Sequence, residues 1–349
     1  MYNTHNSNIR YKELDALRGI AALLVVFFHF TMGRSEYNSF FKLGISGVDL
    51  FFMISGFVIF MSLQKIKSGS EFVINRIGRL YPTYWSAVTF TFIIMLAYAF
   101  YKGNQSIYLT IRYIANMTMF QFYFQIDDLD GPYWSLIIEM LFYILFYFIY
   151  KVKILKYTIH IGISLCTSIL ILTQFFYSSL YVKNLIIWVP LFQFFPLFFA
   201  GINFYKIYTE KDKLPQRYLI ILFCFICQVM LFPYAGRSNL FINHLEYGIM
   251  LAVYFILFIL FVNKYLFFIV NKTTLFLGKI SYALYLVHQY ISIQFIIPTL
   301  HTKFGLNFWF VIFCIDLPIV IAFATFLTYK IEIPYSKLLK NKLRSIMFK

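Results

Sequence analysis

Apolar runs of about twenty residues recur along this chain, separated by short polar segments, and a run of that length suits a membrane-crossing helix. Ten such runs lie near 14–33, 44–63, 82–101, 133–150, 157–177, 185–204, 218–235, 244–262, 274–297 and 307–329. The pattern predicts an all-α, polytopic membrane protein of about ten transmembrane helices, forming one domain over 1–349 with no internal repeat. The first run follows Arg10, Lys12 and Arg18 without a small-residue cleavage site, so it reads as a retained span. The stretch 104–131 is partly apolar but carries Arg112, Gln121, Gln125 and three aspartates. It reads as an extracytoplasmic interfacial or re-entrant segment, and 330–349 as a basic cytoplasmic tail.

Charge supports this register. With ten spans and the N-terminus inside, the inner segments hold 23 Lys and Arg and the outer segments 7. That asymmetry obeys the positive-inside rule and places both termini in the cytoplasm. Treating 104–131 as a span would turn every later basic cluster outward.

Composition narrows the class. Of 349 residues, 61% are hydrophobic and 13% charged, whereas soluble domains are about half apolar and a quarter charged. A soluble enzyme, a nucleic-acid reader and a disordered chain are excluded. The net charge of +16 then reports topology and contact with lipid headgroups. Cys166, Cys224, Cys227 and Cys314 all sit in apolar runs. The Cys224–Cys227 pair reads as packing, because a metal or redox site needs polar groups around it; no metal and no bound cofactor are expected.

Ionisable groups at membrane depth are costly and mark function. His29 lies eleven residues beyond Arg18, so the two share a helix face about 16 Å apart along the axis. Asp49 in the second span, Glu139 in the fourth and His288 in the ninth fall at a depth similar to His29. The plainer reading of any one is a hydrogen-bonded packing residue; four at one level favour a site. Arg76 and Arg79 lie one turn apart at the inner entry to the third span, where Pro82 suits a first helical turn. Two guanidinium forks on one face suit a phosphate clamp, against the plainer reading of positive-inside anchoring. The layers suggest a phosphate-bearing donor bound on the inner side and chemistry about 15–20 Å away. The pantetheine arm of coenzyme A would cross that gap, past small residues such as Gly19, Gly47, Gly56, Gly278, Ser55, Ser135 and Ser281.

Six motifs in order resemble the membrane acyltransferase 3 family, from Arg18 to Pro334. They are Arg18 with His29; GVDLFFMISGF (47–57); Arg76 and Arg79 with Pro82 and Trp85; Trp134, Ser135, Glu139 and Tyr143; Gly278, Ser281, Tyr282, Tyr285 and His288; and Glu332 with Pro334. The resemblance implies transfer of an acyl group, acetyl in most members, from cytoplasmic acyl-CoA to a hydroxyl outside. The chain is similar to the stand-alone form, which lacks an SGNH hydrolase-type domain. The implied acceptor is a glycan or lipid-linked sugar, the implied location the bacterial cytoplasmic membrane, and glycan-assembly proteins are candidate partners.

On this reading His29 is the general base. Asp49 or Glu139 orients its imidazole, and sequence does not choose between them. Arg18, Arg76, Arg79 and Glu332 hold the donor, with Glu332 paired to an arginine. Tyr282, Tyr285, His288 and Trp134 bind the acceptor or polarise the carbonyl, although Trp134 and Trp85 also suit interfacial anchoring. His5, His160, His244 and His301 receive no role. The rival classes are a glycan exporter without acyl-transfer chemistry, which buried charges also fit, and a membrane sensor or scaffold.

Overall fold

The computed structural model describes residues 11–34, 36–37, 41–103, 107–210, 212–234 and 236–347. His5, Arg10 and Lys211 lie outside the described residues, as do 104–106 and 348–349 at the edges of two expected segments. Among the described residues the protein is all-α, with no strand. The helices are α1 (Lys12–Thr31), α2 (Gly47–Leu63), α3 (Gly69–Tyr101), α4 (Ile107–Asn116), α5 (Trp134–Lys151), α6 (Thr158–Phe175), α7 (Leu180–Trp188), α8 (Phe195–Thr209), α9 (Leu214–Leu231), α10 (His244–Val262), α11 (Lys272–Val287), α12 (Gln289–Lys303) and α13 (Phe308–Met347).

Among the described residues eight helical stretches are long and apolar enough to cross a membrane, and α11 with α12, bent by 58°, makes a ninth. The sixth expected span, 185–204, is broken. Helix α7 stops at Trp188, a 3₁₀ turn follows over Pro190–Gln193, and α8 starts at Phe195. Pro190 and Pro196 lack the amide hydrogen that a continuous helix needs and suit helix starts instead. The turn and α8 together still reach about 30 Å, the thickness of the hydrocarbon core. Helix α8 is buried almost throughout, from Phe195 to Phe204. It packs on α2, where a Cβ at Gly56 or Gly201 would strike the facing backbone. Helix α2 is the centre of the bundle, with 78% of its span buried, and α6, with 22%, forms the rim.

Two boundaries differ from expectation. Helix α3 starts at Gly69, thirteen residues before the expected 82. Ser68 caps it by accepting from the Glu71 amide at 3.2 Å, and Glu71 accepts from the Lys67 amide at 3.0 Å. That Ser-x-x-Glu signal overrides the polar character of the next residues. Pro82 therefore lies inside the helix, not in its first turn. At the other end, the segment read as a tail continues α13 as helix to Met347 and packs along α3.

The stretch 107–130 holds one ten-residue helix, α4, which at about 15 Å is half a bilayer core. Its loop is self-bonded. Asn116 donates to the Asp127 carbonyl at 3.0 Å and accepts from the Leu129 amide at 3.0 Å, and Gln121 donates to Asp128 at 2.8 Å.

The contact that positions the site is α1 against α11. A Cβ on Gly19 would sit 2.7 Å from the Gly278 nitrogen, and one on Gly278 would overlap the Asp15 carbonyl. These two glycines serve helix contact rather than lining a passage. His29 lies ten residues beyond Gly19, and His288 ten beyond Gly278. Equal spacing along two closely packed helices brings the imidazoles to one level, about 15 Å from the glycine contact.

Candidate active site

The two histidines touch. His288 Nε2 lies 3.0 Å from His29 Nδ1. Backbone carbonyls fix the tautomers, because a carbonyl oxygen only accepts. His288 Nδ1 lies 3.1 Å from the Leu284 oxygen and 2.9 Å from that of Tyr285, so it carries the hydrogen. Neutral His288 then has its lone pair at Nε2, facing His29. His29 Nδ1 lies 2.9 Å from the Val25 oxygen, so it too carries the hydrogen. The remaining lone pair is at His29 Nε2, on which no hydrogen bond from a described residue ends. His288 is fully buried and His29 only partly so. The pair is a base with one open nitrogen, its other nitrogen backed by a second imidazole.

The expected carboxylate is not in that position. Among the described residues neither Asp49 nor Glu139 contacts His29. Asp49 is buried on α2 with both oxygens unpaired, and Tyr247 and Tyr254 lie within its electrostatic reach. Glu139 accepts from Ser55 at 2.8 Å and from the Tyr143 hydroxyl. Its charge acts on Arg18, Arg76 and Arg79, so it belongs to the arginine level.

That level opens a passage between the helices. Arg18 and Arg79 line its inner end, Ser55, Glu139, Ser281 and Tyr282 its middle, and Phe51, Ser135 and Tyr285 its outer end. Arg18 reaches Asp15 at 3.4 Å. Arg76 donates to Ser62 at 3.3 Å and lies over the rings of Phe72 and Tyr143, 5.6 and 5.8 Å from their centres. Its Nε and Nη1 are buried and end on no acceptor in full hydrogen-bond geometry, with the Tyr143 hydroxyl nearby. Glu332 sits in a π-helical turn, Thr328–Glu332, within reach of Arg79, and one of its oxygens is also unpaired. Turns of this kind are frequent at functional sites.

The passage ends one helical turn short of His288. The Tyr285 hydroxyl donates to the Pro132 carbonyl at 3.0 Å and meets Ser135 Oγ at 2.7 Å. The Tyr285 ring lies 6.0 Å from the imidazole of His288. Tyr282 is tied elsewhere, donating to the Leu80 carbonyl at 3.0 Å. Trp134 lines a second, outer cavity with Asp127, Asp128, Gln193 and Arg237.

Three groups that the pattern did not single out bear on this region. Arg237 lies over the Trp134 ring at 5.6 Å and bonds Asp128 at 3.4 Å. Asp316 is fully buried and accepts from Ser292 at 2.8 Å. As a lone carboxylate in the run VIFCIDLPIVIAF, it meets the same depth criterion as His29. Asp130 is buried in the loop before α5 and accepts from the amides of Gly131 at 2.8 Å and Tyr290 at 3.3 Å. It thereby fastens the bend that follows His288. Burial raises its carboxyl to about 7, against the lowering effect of those two amides.

Comparison with known proteins gives three findings. The model of an acyltransferase domain family matches residues 11–329. The chain is 29% identical over 292 residues to a protein of Acidianus two-tailed virus named "Putative acetyltransferase ORF330", covering 79% of this chain and 82% of the relative. It is 32% identical over 145 residues to a Komagataeibacter xylinus protein named "Putative membrane-bound transacylase BcsY", covering 38% of this chain and 36% of the relative. No solved structure matches.

Proposed function

The chain belongs to the acyltransferase 3 family of membrane acyltransferases, and we propose that it moves an acyl group, acetyl in the simplest case, from cytoplasmic acyl-CoA to a hydroxyl of an extracytoplasmic glycan or lipid-linked sugar. The observation that carries this reading is the open Nε2 of His29, one level above an arginine-lined passage.

The donor's phosphates bind Arg18, Arg76 and Arg79, and its thin arm lies in the passage toward Tyr285. The acceptor approaches from the outer side, where Trp134 and Arg237 line the second cavity. His29 Nε2 takes the proton of the acceptor hydroxyl as that oxygen attacks the thioester carbon. The resulting imidazolium keeps its Nδ1 hydrogen between the Val25 carbonyl and the lone pair of His288, which stabilise the positive charge. His288 thus fills the place that a carboxylate holds in a triad. The Ser135 hydroxyl, at the end of the passage, rotates to donate to the carbonyl oxygen as it gains charge, while Tyr285 keeps its bond to the Pro132 carbonyl. The carbon–sulfur bond then breaks, and His29 returns its proton to the leaving thiolate. An ester and free coenzyme A result, with His29 again neutral. Base catalysis of this kind is worth about 10²–10⁴-fold.

Sidedness follows from the basic inner segments, and the protein resides in the bacterial cytoplasmic membrane. The test joins two measurements. Purified protein binds acyl-CoA, and the surface glycans of a strain lacking the protein lose one O-acyl ester. An unchanged ester profile with no acyl-CoA binding would remove the proposal and leave an exporter as the better account.

A further inference from the structure

Gly78 stands between Arg76 and Arg79 on α3. A Cβ there would overlap Cγ of Lys340 and come within 3.0 Å of its Cε and 3.2 Å of its Cδ. The methylene stem of Lys340, from the end of α13, therefore lies flat on the glycine. A lysine at a helix surface ordinarily extends its ammonium into water; this one is half-buried. The charges that act on it most are Arg76, then Arg79 and Arg344. Arg79 in turn acts on Arg18.

Five cations are thus gathered at the inner mouth, with Glu139 and Glu332 as the carboxylates acting on Arg79. Crowding like charges raises the energy unless an anion answers them. Arg76 also holds two buried donor nitrogens that end on no acceptor in full hydrogen-bond geometry, with the Tyr143 hydroxyl nearby, and each such group is costly. One multiply charged oxyanion would resolve both deficits.

We propose that Lys340 is a further cation of the donor-phosphate site, brought there by the C-terminal turns of α13 lying across Gly78. The proposal rests on the reading of the arginine level as the donor site. Coenzyme A offers a 3′-phosphate and a diphosphate, enough anionic oxygen to engage a lysine beyond the arginine pair. Lys340 serves there as a point charge, while the guanidinium forks supply directional bonds.

The test titrates coenzyme A into purified full-length protein in phosphatidylcholine nanodiscs. Lys340→Met keeps the stem on Gly78 and removes the charge; it is expected to weaken binding about 10-fold and to raise KM for acyl-CoA with kcat little changed. Gly78→Leu keeps the charge but displaces the stem. It should weaken binding similarly, with little added loss in the double variant. Lys340→Met binding like the parent, while Arg79→Ala binds weakly, would overturn the role of Lys340 and leave the donor reading intact. If Arg79→Ala also binds like the parent, the donor reading itself fails. An effect of Lys340→Met seen only after phosphatidylglycerol is added would assign the lysine to lipid headgroups and overturn the proposal.

Discussion

Two helix pairs, each brought together over glycine, end in opposite chemical states. Helices α1 and α11 meet at Gly19 and Gly278 and carry His29 and His288 to contact. Helix α3 meets the end of α13 at Gly78 and carries arginines beside a lysine. At the first pair three ring nitrogens are satisfied by carbonyls or by each other, and only His29 Nε2 is open. At the second pair Arg76 keeps two donors that end on no acceptor in full hydrogen-bond geometry, and like charges are crowded. A base must be aligned before its substrate arrives, so its partners are built in. A binding site for an anion can leave its donors waiting, because the ligand completes them. The passage between the pairs would let one long substrate use both.

Substitutions at the two levels should therefore separate turnover from affinity. His29→Ala is expected to lower kcat about 10³-fold while coenzyme A affinity stays near the parent value. Arg79→Ala should do the reverse, weakening coenzyme A binding by about 10- to 100-fold with a smaller change in turnover at saturation. Steady-state kinetics with a calorimetric titration of each variant checks the division. Equal loss of affinity in both variants would show that the levels are not separate sites. His288→Ala, which removes the acceptor behind His29, should lie between wild type and His29→Ala in kcat and leave KM unchanged.

The first pair can also be broken from a distance. Gly278→Leu puts a side chain where the Asp15 carbonyl lies, so α1 and α11 must part. Overpacking of this kind costs about 1–3 kcal/mol, and a 1 Å misplacement can cost about 10²-fold in rate. The expected result is a lower thermal midpoint and a kcat reduced about 100-fold, with coenzyme A bound. Wild-type turnover in this variant would show that the glycine contact does not align the histidines.

Much of this was readable from one sequence, because depth in a membrane is linear in residue number. Counting along the helix axes places Arg18, His29 and His288. Counting does not give azimuth. Glu139, expected at the depth of His29, faces Ser55, Tyr143 and the arginines, whereas His288 faces His29. The partner of a buried base depends on helix rotation and contact, which Gly19 and Gly278 set and hydropathy does not register. Breaks were also hidden: an apolar run reads alike whether a proline such as Pro190 interrupts it or Pro82 passes within it. The basic residues of 330–349 predict a tail, yet a helix with one face on α3 needs only that face covered.

The smallest predicted effect concerns the loop that holds the histidine pair in place from outside. Asp130 accepts from the Tyr290 amide at 3.3 Å, just past His288, and burial raises its carboxyl to about 7, against about 3.9 in an unfolded chain. Between those values the folded protein holds a proton that the unfolded chain has released. Stability from this group therefore falls as pH rises from about 4 toward 7, and the charged carboxylate persists above that. Asp130→Asn imitates the protonated form, with an oxygen for the Gly131 amide and no charge to bury. Thermal unfolding at pH 5 and pH 8 should show the wild type losing stability at the higher pH and Asp130→Asn losing less. If the variant keeps the full pH slope, the titrating group lies elsewhere, and the bend beyond His288 is held by the two amide bonds irrespective of the charge on Asp130.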